Sequence, residues 1–285
     1  MKILIVDGPG IHPRTAARAL GRGLHQRGHG VIVHPIQMEK LGWFKGPALQ
    51  KRAAEVLNLH QPDVVHVFTA EPWVAEAFTG RGIPVVHSAA DRASRADWIA
   101  APTKKALSRL GAADSSGEVR ASVFPYPVAI GDSPDNPGSY VLVHVPAGDR
   151  TARKWIREAG ALHSDIPIRF EGTPEEARIV VSLSSREDYW PLGVAEAMAA
   201  GRPVIAGWNG AAIEFVLEGV TGYLSAAGDV ASLAAHLHML WTKPEDAVTL
   251  GLSGRDEAAG LFGGDEQIRN LLRCYVRAGI SRLAV

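Results

Sequence analysis

The chain has 285 residues, enough for two domains of ordinary size or one large one. Thirty basic residues balance 30 acidic ones, and 46% hydrophobic with 21% charged content is that of a soluble globular protein, so bulk charge gives no reason to expect a nucleic-acid partner. One cysteine, Cys274, rules out an intrachain disulfide or a cysteine-built metal cage, and no apolar run nears the ~20 residues of a membrane span.

In chain order, Ile3 to Val6 reads as a buried strand rather than a secretory leader, whose apolar core would be longer. A glycine-proline loop, Gly8 to Pro13, follows. Ala17, Leu20 and Leu24 then recur at helical spacing until Gly28. Val31–Val33, Val64–Phe68, Pro84–Val86 and Trp98–Ala100 read as further strands. Between them lie helices at Gln50–Leu59 and Pro72–Thr79, with another after Thr103, a candidate cap. Strands separated by helices predict a parallel sheet covered on both faces.

Residues 131–139, GDSPDNPGS, are turn formers without an apolar residue. The alternation then restarts: Tyr140–Val145, a helix near Arg153–Leu162, Ile168–Phe170, Ile179–Leu183, a helix after Pro191, Val204–Ala206, and helices to the end. The expected division is 1–132, a linker at 133–139, 140–265, and a C-terminal helix over 266–285 packing back on the first domain. Ligands of such sheets bind beyond the carboxyl ends of the strands. Two doubly wound domains facing across a cleft would therefore hold the site between them.

The most informative stretch is SLSSREDYWPLGVAEAMAAGRPVIAGWNGAAIEFVLEGVTGY, residues 182–223. Asp188 stands before a loop, Tyr189, Trp190, Pro191, Leu192 and Gly193, at a predicted helix start, where free amides and the helix dipole favour anions. Glu196 lies about a turn into that helix, and Gly210 opens a glycine loop ending in Glu214. A nucleotide sugar held without a metal needs amides or cations for its phosphates and carboxylates for its hydroxyls. Asp188 is suited to sugar hydroxyls or to capping the helix. Glu196 is suited to the ribose, as acids are in dinucleotide sites, or is a solvated helix residue. Arg150, Arg153 and Lys154 are the cations available to the phosphates, or they simply solvate a helix start. Gly8 and Gly10 allow close approach to phosphate or serve an ordinary turn.

Residues 182–234 resemble glycosyltransferase family 4, the retaining GT-B enzymes, whose motif runs S-x-x-E-G-F-P-L-x-x-x-E-A-M-A-x-G-x-P-V-I. Pro191, Leu192, Glu196 to Ala199, Gly201 and Pro203 to Ile205 match it, as do Gly210, Glu214, Thr221–Gly222, Asp229 and Leu233 in the elements that follow. Asp188 stands at the motif's first glutamate, one methylene shorter. RGHGVIV (27–33), QPDVVHV (61–67) and IPVVHSAAD (83–91) resemble the first domain more loosely. The resemblance implies that Glu196 binds the donor ribose and that Asp188 contacts the donor sugar. It also implies cations on the diphosphate and front-face attack without a protein nucleophile. The family's histidine beside the reacting sugar is Ala90 here, with His87 three residues earlier. Between Phe170 and Ile179 only EGTPEEAR stands where the family has another strand, helix and strand.

The expectation is a metal-independent retaining glycosyltransferase, with no cofactor, that moves a sugar from a nucleoside-diphosphate sugar to an acceptor hydroxyl. The alternatives are a non-catalytic GT-B nucleotide-binding subunit supporting another transferase, or a GT-B sugar-nucleotide epimerase. A cytoplasmic location is expected. Arg14, Arg18 and Arg22 recur on one helix face near Trp43 and Phe44. They make either a solvated surface or a contact with the inner membrane face or an acidic acceptor.

Overall fold

The computed structural model describes residues 1–8, 13–36, 45–110, 120–132, 134, 136–188 and 190–280, and the side chains of 13–16, 45 and 265 fall outside the description as well. Gly10, Trp43, Phe44, Tyr189 and the Arg14 side chain, all singled out above, therefore lie outside the described residues. The chain divides into two compact units, Met1–Pro127 with Gly264–Val285, and Val128–Gly263.

The first unit is a six-stranded sheet of β1 (Lys2–Asp7), β2 (Gly30–Pro35), β3 (Val64–Phe68), β4 (Val85–Ser88), β5 (Trp98–Ala101) and β6 (Ala121–Val123). Every pairing is parallel, in the order β2-β1-β3-β4-β5-β6. The connections include α1 (Pro13–Gln26), α2 (Lys45–His60), α3 (Pro72–Glu76) and α4 (Lys104–Leu110). Central strands of such a sheet are covered on both faces, so they read as unbroken apolar runs. β3, VVHVF, is buried at every position. Thr103 caps α4 by accepting the Ala106 amide at 3.0 Å.

The second unit is a five-stranded parallel sheet of β7 (Val141–His144), β8 (Ile168–Arg169), β9 (Ile179–Ser182), β10 (Val204–Gly207) and β11 (Gly222–Ser225), in the order β11-β10-β9-β7-β8. Its helices are α5 (Arg150–Ala161), α6 (Leu192–Ala199), α7 (Val230–Thr242) and α8 (Pro244–Phe262). α5 turns Ala152, Ile156 and Ala159 into the core that Val141, Val143 and Val181 share. α6 has little polar face because it is covered on two sides, by the sheet and by α8. The turn-rich residues 131–139 follow shortly after Val128, where this unit begins. The Gly131 amide donates to Ala199 O at 3.1 Å, and Arg255 Nε donates to Gly131 O at 2.8 Å.

The last helix, α9 (Gly264–Arg277), belongs to the first unit. Its Tyr275 hydroxyl lies 3.0 Å from His66 Nδ1, and His66 Nε2 lies 2.8 Å from Ser88 Oγ. All three side chains are buried, so the bonds replace lost water. Burial, reinforced by nearby His87, pushes His66 down to about 3 and keeps it neutral.

Candidate functional site

The order β11-β10-β9-β7-β8 has its switch point between β7 and β9, where His144 pairs in register with Ser182. Loops beyond the carboxyl ends of these strands form the expected ligand crevice. Asp149, the N-cap of α5, ties them together. Its Oδ1 accepts from the Ala152 amide at 3.0 Å and from Ser185 Oγ at 2.7 Å. Its Oδ2 accepts from the Ser185 amide at 2.7 Å and Ser184 Oγ at 3.4 Å. Burial alone would raise the Asp149 carboxyl, but these bonds outweigh it and hold the group below the usual carboxylate range.

The β10 loop is fastened to the same place. Asn209 Nδ2 donates to Ser184 O at 2.9 Å and to Arg186 O at 3.1 Å. The Ala211 amide donates to Asp188 O at 2.7 Å. A side chain at Gly210 would put its Cβ 2.8 Å from Asp188 O, so glycine is what lets the two loops meet. Three strand ends thus converge on residues 184–188.

Asp188 sits half-buried within this frame. Desolvation pushes its carboxyl up, and the Trp190 amide donated to Oδ1 at 3.0 Å opposes that. Trp190 turns its ring into the core, edge-on to Phe215 and Phe262 at 5.9 and 5.8 Å. Pro191 is buried and caps α6. Two amides that the sequence offers to a ligand are used within the loop: Trp190 N by Asp188, and Leu192 N by Trp190 O at 2.8 Å. Gly193 packs on His144, whose Cγ would stand 2.5 Å from a Cβ there.

Glu196 is half-buried on α6. Desolvation first, then the nearby Glu175 charge, pushes its carboxyl up to about 7. The turn carrying Glu175 is fixed by buried Arg202, which donates through Nη2 to Glu175 O and through Nη1 to Asn136 O at 2.8 Å.

The cations sort by partner. Lys154 is exposed and pairs with Glu158 at 3.7 Å, one helical turn on. Arg153 and Arg157 lie over the Phe170 ring, at 4.8 and 5.6 Å from its centroid. Arg169 covers Tyr140, and Arg178 covers Trp241 while donating to its carbonyl at 2.7 Å. Arg150 and Arg186 are exposed and have no side-chain partner among the described residues.

In the first unit, the space a side chain at Gly8 would need is filled by Thr69, whose Cβ stands 2.8 Å away. His87 is fully buried, with Nε2 3.1 Å from Thr69 O and no hydrogen-bond partner for Nδ1 among the described residues. Burial pushes it down to about 4. Arg18 and Arg22 face solvent with His25 around a groove of about 350 Å³ floored by Val31 and Val33. Among the described residues no group of three His, Cys, Asp or Glu side chains is disposed to hold a metal ion. No described helix is long and apolar enough to cross a membrane.

Sequence reasoning missed Asp149, Asn209 and His144. An N-cap signal marks Asp149, but nothing in spacing shows that its second oxygen reaches Ser185.

Residues 148–243 match the family model for glycosyl transferases group 1, a segment that runs from the α5 cap through the end of α7. No curated protein matches. Solved structures match along nearly the whole chain. The HepE protein of Anabaena, in complex with UDP and glucose, is 16% identical, covers 96% of this chain and 98% of its own, and gives a TM-score of 0.71. A glycosyltransferase from Rickettsia africae is 14% identical over 98% of this chain and 99% of its own, with a TM-score of 0.73. The sucrose-phosphate synthase of Thermosynechococcus elongatus is 16% identical over 97% and 98%, with a TM-score of 0.72.

The fold is GT-B. The GT-B second unit carries the group 1 match, and that match spans Asp149, Asp188, Glu196 and Gly210.

Proposed function

We propose that this GT-B chain is a glycosyltransferase that transfers a sugar from a nucleoside-diphosphate sugar, with the donor seated at the carboxyl ends of β7, β9 and β10. The observation that carries the reading is the convergence of three loops on residues 184–188, inside the segment matching glycosyl transferases group 1. Similar folds support it: HepE has been solved with UDP-glucose as well.

In this reading Glu196 accepts hydrogen bonds from the ribose hydroxyls and Asp188 from the donor sugar. Cations balance the departing diphosphate without a metal, because a fixed positive charge stabilises the leaving group as its negative charge grows. The family 4 resemblance implies retention of anomeric configuration, the acceptor hydroxyl attacking on the face the diphosphate leaves. The acceptor is the first unit's ligand. The Arg18, Arg22 and His25 groove suits an acidic acceptor or the anionic membrane surface that presents one. Sedimentation with phosphatidylglycerol vesicles, against phosphatidylcholine ones, tests that contact.

One observation favours a second reading, a nucleotide-binding subunit without turnover. His87 is sealed in the sheet, and Ala90 stands where the family has its histidine. The deciding experiment incubates the purified chain with a panel of UDP-, GDP-, ADP- and dTDP-sugars. The anomeric protons are followed by NMR. Release of sugar from one donor with retained configuration supports the transferase, and binding without release supports the subunit. Interconversion of sugars on the nucleotide without release identifies an epimerase.

A further inference from the structure

Six of the seven tryptophans fall among the described residues, and five of these are built into the protein. Trp73 donates its indole N–H to Glu71 Oε2 at 3.1 Å. Trp98 donates to Ser122 Oγ at 3.0 Å and lies under the Arg277 guanidinium. Trp190 meets Phe215 and Phe262 edge-on, and Trp155 and Trp241 pack on the core that α5 and α7 share. Trp208 differs. It is 59% exposed, and its indole has no hydrogen-bond, ring or cation partner among the described residues.

Nothing local calls for an indole there. Trp208 stands in the turn after β10, between Gly207 and Asn209–Gly210, and turns are built from small and polar residues. An indole left in water gives up the burial that normally holds this side chain in place. Yet the backbone beneath it is fixed on both sides. The Trp208 amide donates to Ser225 O at 3.0 Å, at the end of β11. Asn209 Nδ2 holds Ser184 O and Arg186 O, and the Ala211 amide holds Asp188 O. Gly207 leaves room for this, since a Cβ there would stand 2.8 Å from Asn209 Oδ1. A rigid turn tied to the Asp188 loop therefore carries an unpacked aromatic ring, and a platform fixed in advance costs a ligand less to bind.

A pyranose has a rim of hydroxyls and a face of C–H groups. Carboxylates and amides recognise the rim. An aromatic ring, negative on its face, attracts the polarised C–H groups and covers the apolar area. We propose that Trp208 is the stacking platform for the pyranose ring of the donor, with Asp188 taking its hydroxyls. The inference rests on the nucleotide-sugar reading above and adds a residue that reads the sugar rather than the nucleotide.

The test is calorimetry on the full chain. The probes are the best-bound of the UDP-, GDP-, ADP- and dTDP-hexoses and the matching nucleoside diphosphate, so that the ratio of the two affinities isolates the sugar. Trp208→Ala is expected to weaken the sugar nucleotide about threefold to tenfold and to leave the diphosphate unchanged. Trp208→Phe keeps a ring and should recover much of the loss. Without ligand, Trp208→Ala should unfold at the wild-type midpoint, because an exposed indole supports no packing. Equal sugar-nucleotide affinity in Trp208→Ala would overturn the platform and leave the ring to a protein partner. An equal loss for the diphosphate would overturn it too, moving the ring to the base or the phosphates, and a lowered midpoint would mark a structural role instead. A wild-type chain that binds neither probe removes the donor reading itself, whereas binding indifferent to Trp208 removes only this assignment.

Discussion

Asp149 Oδ2 accepts the Ser185 amide at 2.7 Å, joining residues 36 positions apart. One carboxylate thereby caps α5 and fixes the loop that carries Asp188, so the helix start and the site loop are one mechanical unit. Removing the acid leaves a helix cap and a loop amide without a partner at once. Asp149→Ala should cost about 2 kcal/mol or more, read by urea unfolding. Asp149 is held below the ordinary carboxylate range, so its contribution is complete above about pH 4 and fades as pH falls through its folded value. The difference between wild type and Asp149→Ala should shrink in acid; a constant difference would place the effect elsewhere.

Glu196 titrates the other way. Its folded carboxyl is pushed up to about 7, so the native state keeps a proton that the unfolded chain has released. Stability therefore falls as pH rises from about 4.5 to about 7. Glu196→Gln keeps the shape and removes the charge. Its denaturation midpoint should exceed that of wild type at pH 8 and coincide with it near pH 4, while nucleotide affinity drops. Coincident midpoints at both pH values would show that the burial cost is not borne by this group.

Gly193 meets His144 closely enough that a methyl group would stand 2.5 Å from the imidazole Cγ. Gly193→Ala should destabilise by about 1–3 kcal/mol and weaken nucleotide binding, because the start of α6 must shift. Adding His144→Ala should recover much of the loss, a coupling that a double-mutant cycle measures. Additive losses would argue against this contact.

Tyr275 fastens α9 to the first unit through His66. Tyr275→Phe strands one buried imidazole nitrogen and should cost about 1–3 kcal/mol. Because His66 is neutral in the fold and pushed down to about 3, the unfolded chain gains a proton first as pH drops below about 6.5. Stability should decline through that range, and His66→Gln should flatten the decline. A decline unchanged in that variant would assign it to other groups.

The alternation of strand and helix was legible because strands covered on both faces are largely apolar, as Ile3–Val6 of β1 and all of β3 but His66 are. β6 and β11 were not. β6 has three residues, and β11, GYLS, opens on glycine and is only half-buried through its middle. α2 begins at Lys45 rather than Gln50, its first turn holding Gly46 and Pro47, which carry no helical pattern. Of the candidate site, Asp188, Glu196 and Gly210 stood out through their order along one short segment. The reading of Lys154 as a phosphate cation did not weigh Glu158, four residues on, with which it pairs on the surface of α5. The Asp149 and Asn209 bonds span 36 and 25 positions, and only folding reveals such distances. The residues around Tyr189 invited a reading as free amides. Asp188 and Trp190 use two of these, because a tight loop satisfies its own donors first.

The most direct measurement is titration of wild type and Glu196→Ala with the best-bound nucleoside diphosphate, in parallel with a thermal unfolding check of both proteins. At pH 8, where the Glu196 carboxyl is ionised, loss of a charged acceptor for two ribose hydroxyls predicts at least about a tenfold weaker affinity in the variant, with its fold intact. Equal affinity in the two proteins would contradict the placement of the donor on α6 and with it the transferase reading.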